Sequence, residues 1–237
     1  MSVYEKEYKI LSCDVDMFRR LRLSRLFTFT QEAAIAHTEQ LGAGREKTLD
    51  RGFLWVVTMQ HAQIKRLPEY DEKVRLISWP GETMHVMFPR YYSLLDEKDE
   101  EIVCASALWM LMDVGTRKMV FPDDEGIAIK GDATRIGYPL PRPVKPEETD
   151  KSFLYKVPFG STDINGHLTN TKYFELAENL TDLSCSGKVP VYVCAEYSGE
   201  ARFGEELNIG YSQKENEVYL SGTKEEKKKV FKLKMTY

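Results

Sequence analysis

The sequence predicts an α+β fold in which one unit is built twice. Three observations carry this. The 237-residue chain reads as a strand, a helix and several strands, and after a proline-dense stretch at 137–150 the same order returns. An offset of 147 residues aligns Tyr8, Lys9 and Ile10 with Tyr155, Lys156 and Val157, Asp16 with Asp163, Leu21 with Leu168 and Phe27 with Phe174, without a gap. A helix followed by antiparallel strands must also lie on one face of its sheet to bury its apolar side.

Taken in order, a strand at 4–12 leads to a helix over 24–40, with Ser24 as the expected N-cap and Gly42 as the stop. Runs at 53–65, 73–79, 84–95 and 102–114 are rich in β-branched and aromatic residues and are bounded by Pro, Gly, Asp or Glu clusters, which predicts strands. Pro139, Pro141, Pro143 and Pro146 then preclude a helix and predict an extended, semi-rigid connection. The second copy follows as a strand at 153–158, a helix over 170–182 and strands at 189–197, 206–211, 218–221 and 230–237. This divides the chain into a first unit at 1–136, a linker at 137–151 and a second unit at 152–237. If each antiparallel sheet wraps its own long helix and the two sheets meet edge to edge, part of the edge-strand hazard disappears. That arrangement is a double hotdog, two tandem hotdog units.

Composition narrows the function classes. With 33 Lys+Arg against 37 Asp+Glu the net charge is −4, which argues against general nucleic-acid binding through phosphates. Cys13, Cys104, Cys185 and Cys194 lie far apart without C-x-x-C spacing, which predicts neither a zinc site nor a disulfide framework and suits a reducing cytosol. The start MSVYEKEYKI lacks the basic-then-apolar order of a signal peptide, and no run approaches the roughly 18 apolar residues of a membrane span.

The chemistry concentrates at Ser161-Thr162-Asp163-Ile164-Asn165-Gly166-His167-Leu168-Thr169-Asn170, between an apolar strand and an apolar-periodic helix. Turn formation and helix capping explain Asp, Asn, Ser and Thr at such a place. The first copy, however, has Phe18 for Asn165, Arg20 for His167 and Leu23 for Asn170, while keeping Asp16 for Asp163. The fold therefore accounts for Asp163 and leaves His167 unexplained. A histidine near a carboxylate can act as a general base near neutral pH. A side-chain amide can position a water or a carbonyl, and a helix N-terminus presents free N–H groups to an oxyanion.

These residues resemble the plant and bacterial acyl-[acyl carrier protein] thioesterases, double-hotdog enzymes with a D-x-N-x-H-x-x-N signature in the second hotdog. Asp163, Asn165, His167 and Asn170 match it, and Ala195-Glu196-Tyr197 followed by Glu200 matches the strand that leads to the family's catalytic glutamate. Ala201 replaces the family's neighbouring cysteine, which removes that thiol as a nucleophile and leaves water activation intact. Leu54-Trp55-Val56-Val57-Thr58, followed by Ile64 and Arg66, is similar to the family's first-hotdog strand. The resemblance implies hydrolysis of the thioester between a fatty acyl chain and the carrier's phosphopantetheine arm, without a metal or redox cofactor, by a bacterial-type cytosolic enzyme. It implies Asp163, Asn165, His167 and Glu200 as catalytic residues, with Asn170 supporting the site or capping the second helix. Whether Glu200 or His167 takes the proton stays open, as does direct attack by Glu200 through an anhydride.

An acyl chain needs an apolar tunnel, for which the first copy is suited, with Trp55, Val57 and Met59 among the candidate walls and Phe27, Phe29, Met84, Met87, Trp109 and Met112 beside them. Ordinary core packing explains these residues equally well. The acidic carrier requires a local positive surface, for which Arg19, Arg20, Arg22 and Lys172 are the candidates, with Arg202 as a further one. Two other readings remain at this point: an acyl-CoA hydrolase on the same fold, and a non-catalytic acyl-thioester binding module. A homodimer through an exposed sheet edge is left open.

Overall fold

The computed structural model describes residues 3–132, 134–135, 137–225 and 228–237. The first unit runs β1 (Tyr4–Lys9), α1 (Leu23–Gln40), β2 (Phe53–Ile64), β3 (Lys73–Pro80), β4 (Phe88–Leu95), β5 (Glu101–Asp113) and the short β6 (Met119–Val120). The second runs β7 (Lys151–Lys156), α2 (Lys172–Leu180), α3 (Asp182–Cys185), β8 (Tyr192–Tyr197), β9 (Glu206–Lys214), β10 (Glu217–Thr223) and β11 (Lys229–Thr236). Ile136, at the end of the first unit expected from sequence, lies outside the described residues.

Among the described residues the strands form one 11-stranded sheet in the order β1-β3-β4-β5-β2-β8-β11-β10-β9-β7, with β6 paired to β5. Read from its edge inward, β1-β3-β4-β5-β2 repeats as β7-β9-β10-β11-β8. The halves join where β2 pairs with β8, antiparallel from Met59 opposite Glu196 to Gln63 opposite Tyr192. Edge-to-edge contact is thus a continuous hydrogen-bonded ladder, and two internal edges disappear.

In α1 the buried Leu23, Leu26, Phe27, Thr30, Ala33, Ala34 and His37 recur at three- and four-residue spacing, which lays one stripe on the sheet. Its start departs from expectation: Ser24 lies inside the helix, and Arg22 occupies the N-cap without a side-chain bond. Instead the Leu23 N–H donates to Oε1 of Glu178, on α2, at 3.0 Å. A carboxylate from the other unit thus satisfies a free donor at the helix start. Beyond Leu41, Gly42 adopts φ 73°, the left-handed conformation that ends helices without a Cβ clash.

The second helix is shorter than the sequence suggested. At Thr181 the backbone turns extended (φ −99°, ψ 127°) and the Thr181 Oγ1 accepts the Leu183 N–H, which splits the segment into nine-residue α2 and four-residue α3. The proline-dense connection has no regular secondary structure over 137–149 and is tied down by side chains of the central strands. The Pro139 carbonyl accepts from Ser106 Oγ at 2.7 Å and lies 2.8 Å from His61 Nε2. Further along, Lys232 Nζ donates to the Val144 carbonyl and the Val144 N–H donates to Glu196 Oε2.

Candidate active site

After β7 the chain makes a tight turn whose two sides bridge at Thr162 and Leu168. Asp163 Oδ1 accepts the N–H groups of Asn165 (2.9 Å) and His167 (3.0 Å), and Gly166 takes φ 75°. The first unit builds the same turn: Asp16 Oδ1 accepts from Phe18 (2.8 Å) and Arg20 (3.0 Å), with Arg19 at φ 65°. A short carboxylate closing a turn onto the backbone explains why the aspartate recurs in both copies. Asn165 and His167 are what the second copy adds.

The turn is held against the segment after β8. His167 bridges Arg202, and the Leu168 N–H donates to the Ala201 carbonyl at 2.7 Å. This register sets Glu200 beside the imidazole, with Glu200 Oε2 3.4 Å from His167 Nε2. The other oxygen, Oε1, forms an ion pair with Arg117 Nη2 from the β5–β6 hairpin. Burial pushes the His167 pKa below its ordinary value; Asp163 acts the other way, and Arg117, Arg202 and Lys224 reinforce the lowering. A neutral imidazole at pH 7 is the form that accepts a proton.

A cavity of about 460 Å³ opens between α1 and the first unit's sheet, lined by Asp163 and Asn165 of the turn that carries His167 but not by His167 or Glu200 themselves. Such a volume suits a small-molecule site, for which roughly 300–1,000 Å³ is usual. Its apolar wall includes Ala34, Ile35, Phe53, Trp55, Phe88, Trp109 and Ile129. Its remaining lining comes partly from the second unit: Asp163, Ile164, Asn165, Thr169 and Asn170. Trp55 is fixed there by an edge-on contact with Phe88 at 4.7 Å and by donation from its Nε1 to the Ala43 carbonyl. Arg90, also on the wall and only 4% exposed, lies 3.0 Å from His37 Nδ1 and donates to Ser78 and Thr38.

The equivalent place in the second unit is occupied by the first unit's own turn. Arg20 Nη1 donates to the Gly187 carbonyl at 2.5 Å, and the Phe18 ring packs so closely on Gly187 that a Cβ there would meet it at 3.1 Å. The duplicated fold thus has one open site and one plugged counterpart.

The structure distributes the sequence candidates unevenly. Asp163, Asn165, His167 and Glu200 come together, the first two on the cavity lining and the last two beside each other. Asn170 and Trp55 line the cavity. Val57 and Met59 do not: Val57 is packed into the main core, and Met59 follows a bulge in β2 and pairs with Glu196 at the junction. Both lie further along β2 than the cavity reaches. Asn170 does not cap α2, whose N-cap is Thr171 without a side-chain bond. Its carbonyl instead accepts from Tyr197 Oη, which in turn accepts from Gln60 Nε2.

Of the four expected carrier-binding cations none lines the cavity. Arg19 and Arg22 are exposed, Arg20 is held by Asp16 and Gly187, and Lys172 pairs with Glu175 at 2.7 Å. Sequence reasoning missed Arg117 beside Glu200 and Ile129 on the cavity wall. The D-x-G-T hairpin spelling before Arg117 was visible, but nothing local tied it to a residue 83 positions later. Among the described residues no cluster of His, Cys, Asp or Glu could hold a metal ion, and no helix is long and apolar enough to cross a membrane.

Comparison with known proteins agrees with this architecture. Residues 1–129 match the acyl-ACP thioesterase N-terminal domain and residues 144–235 the acyl-ACP thioesterase C-terminal domain. Dodecanoyl-[acyl-carrier-protein] hydrolase of Cinnamomum camphora is 24% identical over 197 residues, covering 73% of this chain and 49% of that protein. Oleoyl-acyl carrier protein thioesterase 2 of Arabidopsis thaliana is 23% identical over 193 residues, covering 72% and 52%. The chain spans about half the length of these curated relatives. An acyl-ACP thioesterase structure from Bacteroides thetaiotaomicron superposes with a TM-score of 0.85 at 19% identity, over 99% of this chain and 97% of the other. The 12:0-ACP thioesterase of Umbellularia californica superposes at 0.83 with 18% identity, over 100% and 97%. The fold is shared end to end, and with both domain types matched in order the chain belongs to the acyl-ACP thioesterase family.

Proposed function

We propose that the protein hydrolyses the thioester between a fatty acyl chain and the phosphopantetheine arm of acyl carrier protein, releasing a free fatty acid and ending chain elongation. The observation that carries this is the His167–Glu200 pair, 3.4 Å apart, with His167 on the turn whose Asp163 and Asn165 line an apolar-walled cavity. In this reading a water oxygen attacks the thioester carbonyl carbon while its proton passes to the His167–Glu200 pair. The carbon–sulfur bond then breaks, and the same pair returns the proton to the departing thiolate. Asn165 positions the water or the carbonyl, and Asp163 holds the turn through the backbone N–H groups of Asn165 and His167. The oxyanion faces N–H groups near the start of α2, and Asn170 and Trp55 contact the substrate.

The acidic carrier is recruited by exposed cations. Arg19 and Arg22 belong to the turn over the plugged counterpart, whereas exposed Arg202 bridges His167 itself. Exposed Phe159, Ile164 and Phe203 flank the same turn and supply apolar contact. Four free cysteines suit a reducing, cytosolic setting, and a bacterial origin fits the Bacteroides likeness. The test is thiol release from matched acyl-carrier and acyl-CoA thioesters. Carrier preference that weakens in Arg202→Glu supports the partner, and equal turnover of both esters contradicts it.

A further inference from the structure

Arg117 belongs to the first unit, yet its guanidinium pairs with the carboxylate proposed to do chemistry in the second. With Oε1 of Glu200 engaged by Arg117, Oε2 is the oxygen that meets His167. The hairpin around Arg117 is built stiffly. Asp113 Oδ1 accepts both the Thr116 N–H (2.6 Å) and the Thr116 hydroxyl (2.9 Å), and the Arg117 N–H donates to the Asp113 carbonyl at 2.9 Å.

The backbone of Arg117 is itself unusual. At φ 58° it occupies the left-handed region, where a hairpin ordinarily places glycine because any Cβ is disfavoured. A position that served only the turn would gain from glycine. Among the described residues Arg117 shares a positive φ with Arg19, Asp71, His85, Asp99 and Glu215, and its side chain is the one that reaches Glu200. Other cations near His167 are placed differently: Lys224 pairs with Glu205, and the Arg202 side chain is exposed.

We infer that Arg117 is a positioning residue for the thioesterase reaction: it orients the Glu200 carboxylate toward His167. This rests on Glu200 being the acid–base carboxylate. It also makes the site a joint product of the two units, since the second unit alone lacks the cation. The groups facing the pair are Asp163 and Arg202 on the turn and its bridging segment, Lys224 at the end of β10, and Arg117.

The test compares Arg117→Gly, Arg117→Lys and Glu200→Ala in the full chain, reading kcat, KM, the pH–rate profile and Tm with an acyl-carrier thioester. Loss of orientation on this scale is worth about 10²-fold in rate, so Arg117→Gly should lower kcat by about that factor with KM little changed. Its acidic limb should move to higher pH, because His167 loses the Arg117 charge that helps hold its pKa down. Its Tm should hold or rise, since glycine suits φ 58°. Arg117→Lys, which keeps the charge, should recover much of kcat and the original limb. If Arg117→Gly shows normal kcat and an unshifted limb while Glu200→Ala is inactive, Arg117 has no positioning role. A lowered Tm with an unshifted limb overturns it equally. Should Arg117→Gly fail to fold, Arg117→Gln read by the same profile decides the question. An active Glu200→Ala would sink the reading of Glu200 itself.

Discussion

Phe27 and Phe174, which hold the same place in the two copies of the sequence, stack ring on ring with centroids 3.9 Å apart and planes 9° from parallel. The helices α1 and α2 therefore meet at their equivalent residues, as a two-fold relationship between the units requires. Phe27 is 2% exposed and Phe174 fully buried, so the stack joins two cores into one. Phe174→Ala should destabilise the chain by about 3–5 kcal/mol. Because the core is shared, denaturant unfolding should remain a single transition. Separate transitions for the two halves would show that the units are energetically independent.

The pH dependence of turnover should report the His167–Glu200 pair. Burial holds the His167 pKa below its ordinary 6.5, so a proton enters the imidazole only as pH falls beneath that value. A neutral base is required, hence kcat/KM should be flat around neutrality and decline with a midpoint below 6.5. His167→Ala should lower kcat by about 10²–10⁴-fold with little change in Tm. A midpoint above 6.5, or near-normal turnover in His167→Ala, would remove the imidazole from the mechanism.

Chain-length preference should follow the cavity wall. Ala34 on α1 is buried and lines the cavity, so Ala34→Leu pushes apolar volume into it. Each buried CH₂ of the substrate is worth about 0.8 kcal/mol, or about fourfold in kcat/KM. The variant should shift its optimum toward chains shorter by about two or three CH₂ groups. An unchanged profile across a chain-length series would place the acyl group elsewhere.

A separate carboxyl governs stability. Burial pushes the Glu178 pKa up from 4.5 to about 7, with the Leu23 N–H bond acting the other way. Between those values the folded chain keeps a proton that the unfolded chain releases, so this group's contribution to stability falls as pH rises through the window. Glu178→Gln keeps an acceptor for Leu23 and removes the titration. Its Tm should match the parent's near pH 4.5 and exceed it above pH 7, as thermal melts across that range would read. Parallel Tm curves would contradict the assignment.

Much of this architecture was legible because its signals are local or strictly repeated. The Asp16 and Asp163 turns recur because one short carboxylate closes each onto its own backbone within four residues. Strand limits followed runs of β-branched and aromatic residues between breaker clusters, so each predicted strand overlaps an observed one. What escaped depends on distant partners. Ser24 read as a cap because nothing in the sequence announces Glu178, 155 positions away, as the acceptor for Leu23. The second helix read as one segment because the break at Thr181 is stabilised by Gln213 Oε1, which accepts from Thr181 Oγ1 and the Asp182 N–H. Trp55 and Val57 stand two apart on one face of β2, and only the depth of the cavity separates wall from core. The basic run Arg19, Arg20 and Arg22 read as one patch until the Arg20 side chain turned inward to Gly187.

The most direct test of the central claim is thiol release from acyl carrier proteins bearing saturated and unsaturated chains of about C8 to C18, measured for the parent chain beside Glu200→Ala. The parent should hydrolyse the carrier thioesters and the variant should lose about 10²–10⁴-fold, with Tm and fold retained. Equal hydrolysis by the two proteins would remove Glu200 from the reaction, and no hydrolysis by the folded parent would contradict the activity itself.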